Sequence, residues 1–433
     1  MISPAEVVRL RNDFPILSTE VGGHPLAYLD SGATSQKPEC VIDAEQDFYT
    51  ARNSAVHRGA HTLAVSATDA YEHGRAATAA FVGADTEEIA WTKNATEALN
   101  VVALGMAHAS AGLGGPEAAR FRLGPGDSVV TTEMEHHANL IPWQQLCALT
   151  GAQLRYLPLT DDGHLDLGDL ESIVDATTKV FAFTHASNVL GTVNPVERLV
   201  ARAREVDAYV VLDACQSVPH MPVDLHALDV DFAAFSGHKM LAPSGIGALY
   251  GKKALLDALP PVLTGGSMIT TVDMDHAEFL PAPQRFEAGT QPVAQVAGMG
   301  AAVGYLTEVG MDRIAAHEAE LAGLLLDGIA AIPGVRVLGP GKPGVQGASG
   351  AGETARLATV SFVVDGVHAH DVGQYLDAAG IAVRVGHHCA QPLHRRYGVT
   401  ATTRASAYLY TTAEDCERFF KSLAEVRAFF GAA

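Results

Sequence analysis

No run of about 18 apolar residues occurs anywhere in the 433-residue chain, so no membrane-spanning helix is expected. The opening stretch, MISPAEVVRLRNDFPIL, carries charges throughout and has no apolar centre of the kind a secretory leader needs. The expected compartment is the cytoplasm. Basic residues are scarce: 29 Lys and Arg stand against 49 Asp and Glu, a net charge of −20. A nucleic-acid surface needs a basic stripe, so that class is excluded and the acidity reads as solubility. Cysteine is sparse as well. Cys40, Cys147, Cys215, Cys389 and Cys416 are odd in number, far apart and form no C-x-x-C. Neither a disulfide framework nor a metal site follows.

What is present is an apolar fraction of 48%, ample for a large core. Strand-like runs alternate with helical ones between about residues 70 and 250. EEIAWT, DSVVTTE, AQLRYLPL, KVFAFTHAS, AYVVLDACQS, DFAAFSGHK and IGALYG read as strands, with amphipathic segments such as NPVERLVARAREVD between them. Such alternation predicts an α/β fold, a mostly parallel sheet covered by helices. From about residue 300 the pattern changes to VRVL, ATVSFVV, AHDVGQYLDAAG, IAVRVG and a last helix near AEDCERFFKSLAEVRAFF, a smaller α+β unit. The expected division is an N-terminal segment 1–30, a large domain 31–300 and a small domain 301–433. Two stretches rich in Gly, Ala and Pro, 108–126 and 339–352, read as surface loops.

Lys239 lies in FSGHKMLAPSGIGALY, among apolar residues. A buried ammonium is costly unless paired or neutralised. In open α/β sheets, ligands bind at the carboxyl ends of strands, and polar residues collect there in this chain. Asp213 ends AYVVLD, with Gln216 three residues on. His136 follows SVVTTEME, Asn188 follows VFAFTHAS, and Ala95 and Thr96 open a helix after EIAWT. Pyridoxal 5'-phosphate uses such a set: a lysine for its aldehyde, a carboxylate for its ring nitrogen, an aromatic-like ring to stack and a helix start for its phosphate. Lys239 is therefore read as a covalent cofactor anchor.

LDACQS…FSGHK resembles the signature of fold-type I, class V pyridoxal-phosphate enzymes. FPIL, PLAYLDSGATSQKPECVIDA, AVHRGAHTL, EHHANLIPWQ, SNVLGTVNPV, RFEAGTQ, VRVGHHCAQPL and TRASAYLY extend the likeness over almost the whole chain, to the SufS-type (group II) cysteine desulfurases. That resemblance implies a seven-stranded-type sheet in the large domain and a homodimer with sites at its interface. It implies Lys239 as the Schiff-base lysine, Asp213 on the ring nitrogen, Gln216 on the ring hydroxyl and His136 stacked on the ring. Thr96, Ser236 and His238 would hold the phosphate, beside Ala95, where the family often has a second threonine. Thr290 of FEAGT would reach the partner's phosphate. Asn188, Arg404, Arg384 and His57 would hold the substrate.

Cys389 decides the chemistry. Arg384, His387 and His388 surround it in sequence, and cationic neighbours favour a thiolate. A thiolate beside bound L-cysteine can take its sulfur as a persulfide and leave alanine. Cys40, Cys147, Cys215 and Cys416 read as small buried hydrophobes, with Cys215 facing away from the site. The resemblance implies sulfur delivery to a SufE-like or zinc-containing SufU-like acceptor for iron–sulfur cluster assembly, and it makes His370 a candidate contact for the latter. A selenocysteine lyase, or another class V lyase, is the alternative on the same site.

Overall fold

The computed structural model describes residues 2–343 and 356–432. Its central sheet has seven strands: β1 (Ile89–Thr92), β2 (Ser128–Thr132), β3 (Gln153–Leu157), β4 (Thr178–Thr184), β5 (Tyr209–Asp213), β6 (Phe232–Ser236) and β7 (Gly247–Gly251). Their order is β1-β7-β6-β5-β4-β2-β3. β7 is antiparallel to both β1 and β6, and the other pairings are parallel. Both faces are covered, so β1, β2, β6 and β7 are buried throughout and read as near-continuous apolar runs. Only the edge strand β3 is largely open, with Gln153 and Tyr156 exposed.

The strand period of two divides the core. On β6, Ala233 and Phe235 enter one apolar layer, while Phe232 and Ala234 enter the other. The first layer holds helices α1 (Thr62–Phe81) and, later in the chain, α3 (Val293–Val309); the second holds α2 (Ala95–Ser110). α1 and α3 touch at Gly74, where a Cβ would fall 2.7 Å from the Val296 carbonyl oxygen.

A second sheet, β8 (Val335–Leu338), β9 (Thr359–Val364), β10 (Arg384–Gly386) and β11 (Thr402–Ser406), is ordered β8-β9-β11-β10 and wholly antiparallel. Its core is shared with α4 (Met311–Ala330), α5 (Ala369–Ala378) and α6 (Ala413–Phe429). Within residues 1–30, Ala27–Tyr28 pair in parallel with Ile381–Ala382, and Ala27 and Leu29 are buried in this same core.

The stretch 108–126 lies largely at the surface, as its composition predicts, with residues 111–117, 119, 120, 122, 125 and 126 exposed, but it is pinned at a few buried positions. After α2 it forms a short helix, Gly115–Ala118, and a turn, Ala119–Phe121, whose Ala118, Phe121 and Leu123 are buried. Phe121 packs on Tyr209 and Phe232 with ring centroids 5.1 and 6.3 Å apart, so Ala118, Phe121 and Leu123 anchor the exposed stretch to the core. Of the other such stretch, residues 344–352 lie outside the described residues. Among the described residues, no single helix is long and apolar enough to cross a membrane.

Candidate active site

The carboxyl ends of β4, β5 and β6 and the start of α2 open onto one cleft, closed on its far side by β10, β11 and the turn after β10. Ala95, Thr96, His136, Asn188, Asp213, Gln216, Ser236, His238, Lys239, Arg384, Cys389 and Arg404 all line it. Each arrives there for a local reason. Asp213 and Ser236 are the last residues of β5 and β6. A single 3-10 turn, Gly237–Lys239, then presents the lysine. Asn94 caps α2 by accepting from the Glu97 amide at 3.0 Å, and Ser236 Oγ accepts from the Ala95 amide at 2.9 Å. A helix start of this kind is a favourable place for an anion.

The base of the cleft is a set of polar groups held from behind. Asp213 accepts from the Cys215 amide at 3.0 Å and is almost fully buried. Gln216 donates its amide to the Gly32 carbonyl at 2.9 Å, but its Oε1 is buried without a partner. His136 Nδ1 accepts from the Ala138 amide at 3.0 Å. Burial, with Lys239 next, pushes that ring down to about 3, so it is neutral at pH 7 and carries its proton on Nε2. Beneath it Glu135 takes hydrogen bonds from Thr132, Asn139 and the Thr184 amide, while burial pushes its carboxyl up to about 8.

The cysteine sits on a locked turn. His388 and Cys389 both lie in the left-handed region, at φ 48° and 57°, a conformation that costs a non-glycine residue energy and clusters at functional sites. The surroundings hold it. The His137 amide donates to the Cys389 carbonyl at 2.7 Å, and Asn188 Nδ2 donates to the His388 carbonyl at 2.8 Å. His388 corrects one expectation. Burial, then Arg404, pushes its ring down to about 2, and its Nε2 meets Thr402 Oγ1 at 2.8 Å. It is neutral, so the positive charges lining the cleft with Cys389 are Arg384, Arg404 and Lys239.

Arg404, mid-strand on β11, is buried, not the surface residue that its polar neighbours in sequence would make it. It donates to the Asn188 carbonyl at 2.9 Å and to Asp30 at 3.0 Å, and its buried Nε has no acceptor.

Two expected residues do not join the group. His57 is bound to Glu72 at 2.8 Å and packs edge-on against Tyr71, which keeps it out of its own chain's cleft. Thr290 is exposed in a separate groove with Lys93, Glu97 and Leu263. The loop that carries it is anchored by Glu287, which accepts from Arg75, Tyr71 and the Trp91 amide. Cys215 is the reverse case. It lines the cleft, 3.8 Å from Ser236 Oγ, with its thiol pushed up to about 12 by burial. The expectation that it faces away from the site fails: a period of two puts positions 213 and 215 on one side, and Cys215 lies there with Asp213. Gly32 and Ala33, also in the wall, fall within the family-like stretch PLAYLDSGATSQKPECVIDA but were assigned no role from the sequence.

The donor set fits pyridoxal 5'-phosphate. Lys239 and Asp213 face one cleft, the orphaned Gln216 oxygen suits a ring hydroxyl, and Thr96, Ser236 and His238 stand at a helix start that suits a phosphate.

Comparison with known proteins gives the same answer. The family model of class-V aminotransferases matches residues 27–419. A probable cysteine desulfurase of Mycobacterium leprae is 54% identical over 432 residues, 99% of either chain. One of Streptomyces coelicolor is 49% identical over 426 residues, covering 98% of this chain and 97% of that one. Among solved structures, the apo cysteine desulfurase of Thermococcus onnurineus superposes with a TM-score of 0.87 at 37% identity, covering 98% of each chain. The Escherichia coli cysteine desulfurase CsdA gives 0.86 at 35% identity and 99% of each. The chain belongs to the class-V aminotransferase family, among its cysteine desulfurases.

Proposed function

We propose that the protein is a pyridoxal 5'-phosphate-dependent cysteine desulfurase of SufS type, a cytoplasmic homodimer that converts L-cysteine to L-alanine and supplies the sulfur for iron–sulfur cluster assembly. The observation that carries the reading is Cys389 in the same cleft as Lys239, Asp213 and Arg404.

When bound, the cofactor supplies an electron sink next to the substrate's α-carbon. The chain's own groups do the rest. Asp213 holds a proton on the ring nitrogen, Gln216 meets the ring hydroxyl, and neutral His136 stacks on the ring. Thr96, Ser236 and His238 hold the phosphate, where Ala95 leaves one hydroxyl fewer than the family pattern. Arg404, through its free Nε, takes the substrate carboxylate. Asn188 orders this end of the cleft by holding both Arg404 and the His388 carbonyl. Lys239 moves the proton at the α-carbon. Cys389, facing the guanidinium groups of Arg384 and Arg404, attacks the substrate sulfur as a thiolate. A sulfur–sulfur bond forms as the carbon–sulfur bond breaks. The released electron pair stays on the β-carbon, which takes a proton and leaves as alanine, and the persulfide remains on Cys389.

The turn around Cys389 is short and held by His137 and Asn188, so an acceptor protein must come to it. A SufU-like or SufE-like acceptor fits that need. His370 is exposed at the start of α5, and we assign it to contact with the zinc type. Thr290 and His57, both outside their own chain's cleft, are assigned to the partner subunit's site.

The test is incubation of the cofactor-loaded protein with L-cysteine and a thiol reductant. Alanine and sulfide in equal amounts are expected. Turnover of L-selenocysteine that survives Cys389→Ser, with none of L-cysteine by wild type, would overturn the reading in favour of a selenocysteine lyase.

A further inference from the structure

The carbonyl of His238, which forms the peptide bond to Lys239, is unusually crowded with donors. It accepts from the Ser35 amide at 3.0 Å, Thr34 Oγ1 at 3.0 Å, Ser35 Oγ at 3.1 Å and Lys37 Nζ at 3.0 Å. A carbonyl oxygen has two lone pairs, so four donors exceed what saturation needs. One of the four is an ammonium, and charge-assisted bonds are the strong ones. Lys37 Nζ also donates to the Ser35 carbonyl at 2.5 Å. No carboxylate lies within salt-bridge distance of it among the described residues; Glu45 acts on it from further off, and it acts in turn on Glu45 and His238. Burial pushes this ammonium down to about 8. A partly desolvated charge spent on two backbone carbonyls calls for a reason other than ion pairing.

The same segment reaches the other half of the cleft. The Gly32 amide donates to Ser406 Oγ at 2.8 Å, the Gln36 amide to Tyr410 Oη at 3.1 Å, and Asp30 pairs with Arg404. Ser35 Oγ further accepts from the amide of Leu241, whose φ of 67° is left-handed for a branched residue. Residues 30–37 thus form a strap from the strand carrying Arg404 to the turn carrying Lys239.

We propose that Lys37 is a positioning residue for Lys239: by pinning the His238 carbonyl it fixes the peptide plane from which the Lys239 side chain swings. The inference rests on the reading of Lys239 as the cofactor's anchor. A proton carrier must return to one position on each turnover, and a misplacement near 1 Å can cost about a hundredfold in rate.

The holoenzyme tests this. Borohydride reduction of wild type followed by peptide mapping first locates the cofactor. Label on another lysine overturns the underlying reading and this one with it. With label on Lys239, Lys37→Met keeps the aliphatic stem and removes the charge. The expected result is a weakened visible circular dichroism band of the cofactor and a kcat lower by about tenfold with KM within about twofold. Lys37→Arg, able to donate to both carbonyls, should restore most of each. A Lys37→Met protein with unaltered band and kcat, whatever its melting temperature, overturns the role of Lys37 alone. Should Lys37→Met not fold, Thr34→Val removes a neutral donor from the same carbonyl. A smaller change of the same sign supports the proposal, and an unchanged band overturns it.

Discussion

Replacing Arg75 by methionine strips the cation from a carboxylate that has nowhere to go. Glu287 is buried, and it accepts from Arg75 Nη1 at 2.6 Å, Arg75 Nη2 at 2.9 Å, Tyr71 Oη at 2.8 Å and the Trp91 amide at 2.8 Å. Two of the four donors leave with the guanidinium, and the Ile89 carbonyl loses its Arg75 contact at 2.7 Å. Removing one partner of a buried pair costs about 3–5 kcal/mol, because the charge left behind stays desolvated. The stacking of Arg75 over Tyr71, 5.1 Å from its centroid, is lost as well. Replacing both partners at once, Arg75→Met with Glu287→Leu, should restore much of the loss, since nothing charged then remains buried. Urea unfolding of the holo protein, read by far- and near-ultraviolet circular dichroism, gives the two single changes and the pair. A loss below about 1 kcal/mol for Arg75→Met, the scale of an exposed pair, would refute the reasoning. So would additivity of the two single changes in the double variant.

Acid should destabilise the fold early. His136, His185, His238 and His388 are pushed down to about 3, 4, 4 and 2, from a usual value near 6.5. The unfolded chain therefore binds protons that the folded chain refuses, and stability falls as pH drops from about 6.5 towards 4, by about 1.4 kcal/mol per pH unit for each ring. Glu135, pushed up to about 8, works the other way above pH 4.5. Urea midpoints at intervals through that range should fall with pH, less steeply in His185→Gln; a flat profile contradicts the buried neutral rings. Gln216→Leu should speed cofactor loss on dilution by several-fold, because the orphaned Oε1 is removed, and an unchanged rate would dissociate that atom from the cofactor. Mixed dimers of Lys239→Ala with Thr290→Ala subunits should gather both defects in one site and leave the other intact; activity falling as though each defect stayed in its own subunit contradicts the shared site.

Much of the cleft was legible because β-α alternation is written in local apolar runs, and a run's last residue falls on the rim. That is how Asp213, Gln216, Lys239, Asn188, His136 and Thr96 could be placed together before any coordinates, while Ser236 came only from the family resemblance. Cys215 was misread against the rule itself: a period of two puts it on the side of Asp213, where it lines the cleft. Charge was misread at His388, because two adjacent histidines look cationic until burial is known. Contacts between distant parts of the chain left no local trace. Pairing of Ala27–Tyr28 with Ile381–Ala382, and the strap of residues 30–37 under Lys239, join residues hundreds apart in sequence. In the 108–126 stretch composition read the exposure correctly but gave no sign that Ala118, Phe121 and Leu123 anchor it to the core.

The central claim is that Cys389 takes the sulfur. Cofactor-loaded wild type and Cys389→Ser are each given one equivalent of L-cysteine without reductant, trapped with an alkylating reagent and digested for mass spectrometry. The account predicts one added sulfur on the Cys389 peptide of wild type, none on any peptide of Cys389→Ser, and the same cofactor spectral response to L-cysteine in both. An added sulfur on Cys215, the other thiol in the cleft, or on any of the remaining cysteines in the Cys389→Ser protein would contradict it.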